Sequence, residues 1–347
     1  MLTTKQVKEI REHLDKAQNP VFFFDNDQDG LCSFLLLQRF CEKGRGVAVK
    51  SYPEMDKGYF RRVGELNADY IFILDKPVVG KGFWELVEQV NIPVVWIDHH
   101  DVKADGEEIP DFVNYYNPVY NKKSTSEPVA ALCYQITGKK DDLWIATVGC
   151  ISDSYLPDFY SEFLKKYPDL GKDSDNAFDV FYDSRIGDIA KMFLAGLKDT
   201  TSNVVKMLRF LMRAKTPYDV LEESPKNRSI HQRYKFIKEK YDRILEKALA
   251  ARTESKLLFF TYGGDMSMSG EVANELMHKF PDKIIVVGYS NGSKMNLSAR
   301  GDDVKEIILK AIEGLEDARG GGHDNAVGAQ IRTEDLGEFR ERLQKLI

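Results

Sequence analysis

The sequence predicts an α/β fold in two parts: an N-terminal parallel-sheet domain, joined by a long helix to a smaller α/β domain at the C-terminus. Three observations carry this. Short apolar runs alternate with helical patterns over the first 150 or so residues. Alternation of this kind implies a mostly parallel sheet covered on both faces. A polar stretch with a single apolar stripe, 229–252, then interrupts the pattern, and a second series of strands and helices restarts near 255. The expected spans are 1–215 for the first domain, 216–254 for a linker with the long helix, and 255–347 for the second domain.

The elements follow in order. The opening MLTTKQVKEIREHLDKAQ is charged and reads as an amphipathic helix, without the apolar core of a signal peptide. PVFFFD, 20–25, is a short apolar run between Pro20 and an acidic loop, which reads as a buried strand leading into DNDQDG. Leu35, Leu36, Phe40 and Cys41 give a helix near 31–43 its buried face. A strand is expected over 47–52, and YIFIL, 70–74, is a strand ending at Asp75. A helix over 82–90 and the strand PVVWI, 93–97, ending at Asp98, come next. Helices are expected near 127–137 and 143–151. From 154 to 225 Phe, Tyr, Leu and Met recur at helical spacing, a pattern of core and not of a cofactor box. Residues 216–225 form a polar, proline-bearing connection. Tyr234, Ile237, Tyr241, Ile244, Leu245 and Leu249 make the stripe of the helix over 229–252, which bridges the two domains. In the last part strands are expected at 257–261, 283–289, 295–299 and 326–331, and helices at 270–279, 304–312 and 336–347. Residues 319–323 are expected as a loop.

The 347 residues suffice for about two domains of roughly 150 each, with a core that needs no staple. Hydrophobic residues at 43% and charged residues at 30% are those of a soluble globular protein. Cys32, Cys41, Cys133 and Cys150 form no CxxC, which argues against a thiolate zinc site. Cys32, Cys133 and Cys150 lie in apolar stretches and read as small buried thiols, in keeping with a reducing, cytoplasmic setting. No apolar run approaches the roughly 18 residues of a membrane span. The net charge of −6 argues against a general nucleic-acid coat protein but not against a nucleic-acid enzyme. Two divalent ions in an acidic pocket would bring it to −2.

Ligands of such sheets bind at the carboxyl ends of the strands. Asp25 to Asp29, Asp75, and Asp98 to His100 each follow an expected strand there, and Asp153 follows the apolar ATVGCIS. DNDQDG places carboxylates at alternating positions, suited to a hard divalent cation; a solvated acidic turn is the competing reading. An EF-hand fails because the twelfth loop position falls among apolar residues. IDHH sets carboxylate and imidazole side by side, a mix suited to Mn²⁺. A lone buried histidine is more often structural, but two in succession after a buried strand are harder to explain by packing. Asp75 and Asp153 alone would read as caps and gain weight from the shared edge. Together the residues suit a two-metal centre with ions about 3.5–4 Å apart. Asp75 is the candidate bridge, with Asp27 on one ion, and Asp29, His99 and Asp153 around the other or between them. Asp25 is a candidate extra ligand. Asp98 is expected to orient a histidine from behind, and His100 to face substrate phosphate; these two are the candidate catalytic residues.

RGGGHDNAVGAQI, 319–331, is the second signal. Successive glycines let the backbone present N–H groups to an anion. Arg319 and His323 add charge or hydrogen bonds, and Arg300 can fork onto a phosphate. Arg300, Gly320, Gly321, Gly322 and His323 are therefore the candidate substrate-binding residues, against the competing reading of a flexible turn. There is no Walker lysine and no GxGxxG after the first strand, which disfavours ATP and dinucleotides.

In DNDQDG, Asp75, the DHH of Asp98 to His100, Asp153 in GCISDS and the GGGH of 320–323, the sequence resembles the DHH phosphoesterase superfamily. The match runs over essentially the whole chain in the expected order. The two-domain form with GGGH is similar to RecJ-type exonucleases and nanoRNases. That resemblance implies a manganese site in the first domain, a second domain that grips nucleic acid or its terminal phosphate, and an active site in the cleft between. It carries Asp27, Asp29, Asp75, His99 and Asp153 over as metal ligands, and His323 with the adjacent glycines as phosphate-binding residues. The implied cofactor is two Mn²⁺ ions, with Mg²⁺ or Co²⁺ as alternatives. Many members place a histidine four residues before the first Asp of D-x-D, where this chain has Phe23. Asp25 compensates if the loop acts as in members with D-x-D-x-D-G. The chain is shorter than bacterial RecJ, which points to a compact enzyme, an archaeal RecJ-like one or a short-oligonucleotide nuclease.

The expected function is thus a Mn-dependent phosphodiester hydrolase, a single-strand-specific exonuclease or oligonucleotide nuclease releasing mononucleotides from DNA or RNA. A small-molecule phosphoesterase acting on cyclic dinucleotides or pAp is the alternative. A non-catalytic RecJ-like replication scaffold is a third reading, opposed by the intact Asp and His set. Tyr115, Tyr116, Tyr120, Tyr155, Tyr262 and Tyr289 are candidates for stacking on bases. The expected partners are single-stranded DNA or RNA, or short oligonucleotides, with no membrane; a homodimer and replication or repair partners stay open, without a motif for either.

Overall fold

The computed structural model describes residues 1–50, 55–102, 108–251 and 254–347. The chain divides into two compact units, Met1–Tyr234 and Lys235–Ile347.

In the first unit α1 (Thr4–Lys16) starts at a capping box between Thr3 and Gln6. It leads into β1 (Pro20–Asp25), α2 (Gln28–Cys41), β2 (Arg45–Val49), α3 (Lys57–Glu65), β3 (Tyr70–Leu74), α4 (Lys81–Val90), β4 (Val94–Ile97) and β5 (Val113–Tyr116). The five strands form one parallel sheet in the order β2-β1-β3-β4-β5. All six residues of β1 are buried. Phe22 and Phe24 enter the core on one face, Val21 and Phe23 that on the other. This is why the central strands read as continuous apolar runs and not as alternating ones. The first core is completed by α2, α5 (Val129–Thr137) and α6 (Leu143–Ser152), the second by α3 and α4. A run of helices follows: α7 (Tyr160–Lys166), α8 (Ala177–Asp183), α9 (Arg185–Leu197), α10 (Thr201–Leu211) and α11 (Pro217–Leu221). From β1 the chain moves outward to β2, then returns to the opposite side of β1 for β3. The strand order therefore reverses between β1 and β3, where open α/β sheets bind their ligands.

The long helix α12 (Arg228–Ala250) contains the boundary between the units. Tyr234 packs on the first unit's core, whereas Ile237, Tyr241, Ile244, Leu245 and Leu249 pack on a core of the second. The second unit continues with β6 (Leu257–Gly263), α13 (Ser269–Lys279), β7 (Ile284–Asn291), β8 (Lys294–Arg300), α14 (Val304–Ile312), β9 (Arg319–His323), β10 (Ala326–Arg332) and α15 (Leu336–Leu346). Its sheet runs β6-β7-β8-β10-β9. The pair β6–β7 is parallel and the others antiparallel. The helices α14 and α15 cover one face, and α13 with the end of α12 the other.

Four expectations need adjustment. The glycine segment 319–323 is a strand and not a loop: β9 pairs with β10, with Gly321 opposite Gly328. Glycine carries little intrinsic strand preference, so the conformation is imposed by the partner strand. The strand expected over 47–52 is β2, which begins at Arg45; residues 51 and 52 lie outside the described residues. The helix α3 was not anticipated, since Val63 is its one buried residue. Nor was β5, a four-residue edge strand with two half-buried positions. Among the described residues no helix is long and apolar enough to cross a membrane.

Candidate metal centre

The centre is assembled from four chain segments at the carboxyl edge of the first sheet. Asp25 ends β1, and α2 begins almost at once. Gly30 permits this, because a Cβ there would stand 2.5 Å from the Asp25 carbonyl oxygen. Asp27 caps α2 and accepts the Gly30 N–H at 2.9 Å. Asp29 lies in the first turn, 3% exposed. Its two oxygens accept the N–H groups of Val129 at 2.7 Å and Ala130 at 2.8 Å, and so cap α5, whose own cap residue is Pro128. Each oxygen keeps a lone pair for a further ligand.

Asp75 follows β3 in the left-handed conformation, φ 57°, and is 3% exposed. Its Oδ1 is buried and, among the described residues, has no hydrogen-bond partner. The His99 Nε2 stands 3.4 Å from that oxygen and 3.7 Å from Asp153 Oδ2. The other ring nitrogen of His99, Nδ1, lies 3.3 Å from the Ser126 carbonyl oxygen. A carbonyl only accepts, so in the neutral ring Nδ1 carries the proton and Nε2 is the free donor toward a metal. Asp153, at the C-terminal end of α6, is the most exposed of the group. Ligand atoms of Asp29, His99 and Asp153 lie within 4.8 Å of one another, as do those of Asp75, His99 and His100.

Asp98 is wholly buried behind the histidines. Its Oδ1 is 2.8 Å from His100 Nδ1, and its Oδ2 accepts from the Tyr115 hydroxyl at 3.4 Å. Asn117 donates to the His100 carbonyl and the Tyr115 oxygen, both at 2.8 Å. His100 is thereby held with Nε2 directed away from Asp98. Burial lowers the basicity of His100, but the Asp98 hydrogen bond and charge outweigh it and push its pKa up to about 9.

The carboxylates are crowded. Burial, then the charges of Asp29, Asp27, Asp153 and Asp25, push Asp75 well above the usual range. Asp29 is raised to about 8, by burial and then Asp153, against the opposing N–H groups of Ala130 and Val129. Asp27 is raised to about 7, by burial and then Asp25 and Asp29. A hard divalent cation fits this donor set: it would neutralise the cluster and satisfy the orphaned Asp75 oxygen.

Asp25 sits differently. It is 7% exposed, and the buried Lys76 ammonium lies 3.4 Å from its Oδ1. Phe23 is buried in the opposite core, its ring 5.7 Å from that of Phe83. Sequence reasoning did not single out Lys76, Asn117 or the Ser126 carbonyl. Lys76 is adjacent to a candidate ligand, but nothing in the sequence marks it as buried.

The remaining candidates belong to the second unit. Arg300 ends β8, where its guanidinium donates to Asn274 Oδ1 and to the Ala299 carbonyl. At Gly320 a Cβ would crowd the end of the Ile312 side chain, at 3.0 Å, and the Ala329 methyl, at 3.3 Å. Gly322 is required by conformation, with φ 139° and no room for a Cβ beside the Ala326 carbonyl oxygen. Gly321 and its partner Gly328 face neither constraint: a Cβ at each would meet nothing within 4 Å. Gly321 and Gly328 leave bare backbone on an exposed sheet surface. The side chain of His323 lies outside the described residues.

Comparison with known proteins gives the context. Residues 21–151 match the N-terminal domain of the DHH family, and residues 254–347 match the DHHA1 domain. No curated protein matches the sequence. Among solved structures, an exonuclease RecJ bound to manganese superposes with a TM-score of 0.64 at 16% identity, covering 99% of this chain and 94% of that one. RecJ from Thermus thermophilus in complex with Mn²⁺ gives 0.64 and 16%, over 98% of this chain but 54% of that longer one. The pGpG-specific phosphodiesterase PggH from Vibrio cholerae gives 0.53 and 13%, over 95% and 99%. With a DHH domain on the first unit, a DHHA1 domain on the second and this likeness of fold, the chain belongs to the DHH superfamily and has a RecJ-like fold.

Proposed function

We propose that the protein is a Mn-dependent phosphodiester hydrolase acting on single-stranded DNA or RNA, down to short oligonucleotides, and releasing mononucleotides. The observation that carries this is the unpartnered Asp75 oxygen facing His99 Nε2, with Asp29 and Asp153 on the same histidine. Asp29, Asp75, His99 and Asp153 would hold one ion, and Asp27 with Asp75 a second. Bound ions of this kind activate water and neutralise charge on a phosphoryl group.

The chain's own groups complete the chemistry. His100, oriented by Asp98 through Nδ1, directs Nε2 outward, where it can donate to a phosphate oxygen. Tyr115 and Asn117 fix Asp98 and the His100 backbone so that this geometry is held before substrate arrives. In the second unit the bare Gly321 and Gly328 admit close approach of a ligand, and Arg300 stands at the end of the adjacent strand β8. The buried free thiols of Cys32, Cys133 and Cys150 support a reducing, cytoplasmic setting.

The likeness to PggH over nearly its whole length supports a second reading, in which the preferred substrate is a linear dinucleotide. The non-catalytic scaffold is opposed by the Asp and His side chains that converge at this edge. The test is incubation with Mn²⁺ and end-labelled oligonucleotides from the dinucleotide upward. Mononucleotide release at several lengths supports the first reading, and cleavage of the dinucleotide alone supports the second. No product at any length, from a chain indistinguishable from Asp75→Asn, sinks both.

A further inference from the structure

A lysine is buried within this acidic edge. Lys76 directly follows Asp75 and is 1% exposed. Its ammonium donates to the Lys50 carbonyl at 2.8 Å and lies 3.4 Å from Asp25 Oδ1. Its own carbonyl accepts the Trp96 indole N–H at 2.9 Å, which pins the backbone at this point. Lysine is almost never fully buried unless paired. Hydrophobic replacement of a buried ion pair is often neutral or stabilising, so stability alone does not account for this pair.

We propose that Lys76 is a resident cation of the metal centre. It claims Asp25 as its counter-ion, so that Asp25 is not a metal ligand. Its charge also weakens the ion position beside β1. One divalent ion then binds tightly, at Asp29, Asp75, His99 and Asp153, and a second binds weakly, at Asp27 and Asp75. This inference rests on the metal-dependent reading above.

Two further observations agree. The ligand atoms that converge at this edge come from Asp29, Asp75, His99, His100 and Asp153; among the described residues neither Asp25 nor Asp27 joins such a group. Phe23, four residues before Asp27, has its ring committed to the apolar core against Phe83, so that position offers an ion no donor. The weak position is the one beside Asp25, and Lys76 is the cation that faces it.

The test is titration of the chelator-treated full chain with Mn²⁺, by calorimetry and by electron paramagnetic resonance. For the wild type we expect one tight site, an uncoupled single-ion spectrum at one equivalent, and a second site at least a hundredfold weaker. In Lys76→Met, Asp25 is released as a ligand and the repelling charge is gone. Its second site should tighten at least tenfold, and a spin-coupled pair should appear at two equivalents. The double variant Lys76→Met/Asp25→Asn removes both charges and is the neutral replacement if the single one fails to fold. Its second site should remain within about threefold of the wild type. Two sites of equal affinity in the wild type overturn the proposal. So does a second site in Lys76→Met no tighter than the wild type's, or one in the double variant weakened tenfold or more. Failure of the wild type to bind Mn²⁺ at all overturns instead the metal-dependent reading, and the two failures are distinguishable.

Discussion

Replacing Asp75 by Asn tests whether the acidic cluster is held against the fold's own stability. The change is nearly isosteric, and Oδ1 has no hydrogen bond to lose. Asparagine also accepts the left-handed backbone at φ 57°. What is removed is a buried acid whose ionisation is opposed by burial and then by the charges of Asp29, Asp27, Asp153 and Asp25. At an effective dielectric constant of 20, a like charge at about 6 Å costs roughly 2–3 kcal/mol. Salt and the exposure of Asp153 screen part of this, so a net gain of about 2 kcal/mol is a conservative figure. For a unit of this size 1 kcal/mol moves Tm by about 2–4 °C. In chelator at pH 8, Asp75→Asn should therefore melt about 4–8 °C above the wild type. In Mn²⁺ the order reverses, because an ion at a hundred times its Kd stabilises the wild type by about 2.7 kcal/mol, and the variant gains little. Near pH 4, with the cluster protonated, the difference in chelator should largely vanish. Scanning calorimetry in EDTA and in Mn²⁺ decides the matter. A variant that melts at or below the wild type in EDTA at pH 8, or that keeps the full Mn²⁺ shift, refutes the reasoning.

Three other outcomes are expected. Asp27 and Asp29, raised to about 7 and about 8 from an unfolded value of 3.8, bind more protons folded than unfolded. Stability of the metal-free chain should therefore fall as pH rises from about 4 to about 8, while the Mn²⁺-induced gain in Tm grows over the same window; a flat profile of both contradicts this. Asp98→Asn should lower kcat roughly a hundredfold by releasing His100, with Mn²⁺ stoichiometry unchanged in a calorimetric titration. Gly322→Ala should lower Tm by several degrees, because its backbone conformation and the Ala326 carbonyl exclude a Cβ. Gly321→Val should leave Tm within a degree or two yet raise KM for an oligonucleotide roughly tenfold, as steady-state kinetics would show.

The parts of the fold that could be read from the sequence are those where one interaction dominates. The strands β1, β3 and β4 are buried on both faces, so their apolar runs mark them to within a residue. Asp75 and Asp98 stand out because each follows such a run. Edge elements were harder. The strand β5 and the helix α3 bury few side chains, and β9 owes its conformation to pairing with β10. Least legible were the contacts between distant segments. Asp29 caps a helix 100 residues away, and Lys76 reaches a carboxylate 51 residues back. His99 takes its tautomer from the carbonyl of residue 126. Each depends on how the strand ends meet, which no local pattern encodes.

Whether this edge of the sheet hydrolyses phosphodiesters through bound metal is decided by the cleavage of end-labelled oligonucleotides in Mn²⁺, with products resolved by length. Mononucleotide release by the wild type, abolished by EDTA and by Asp75→Asn, is the expected result. A wild-type chain that binds Mn²⁺ and releases nothing, or an Asp75→Asn variant that cleaves at the wild-type rate, would contradict it.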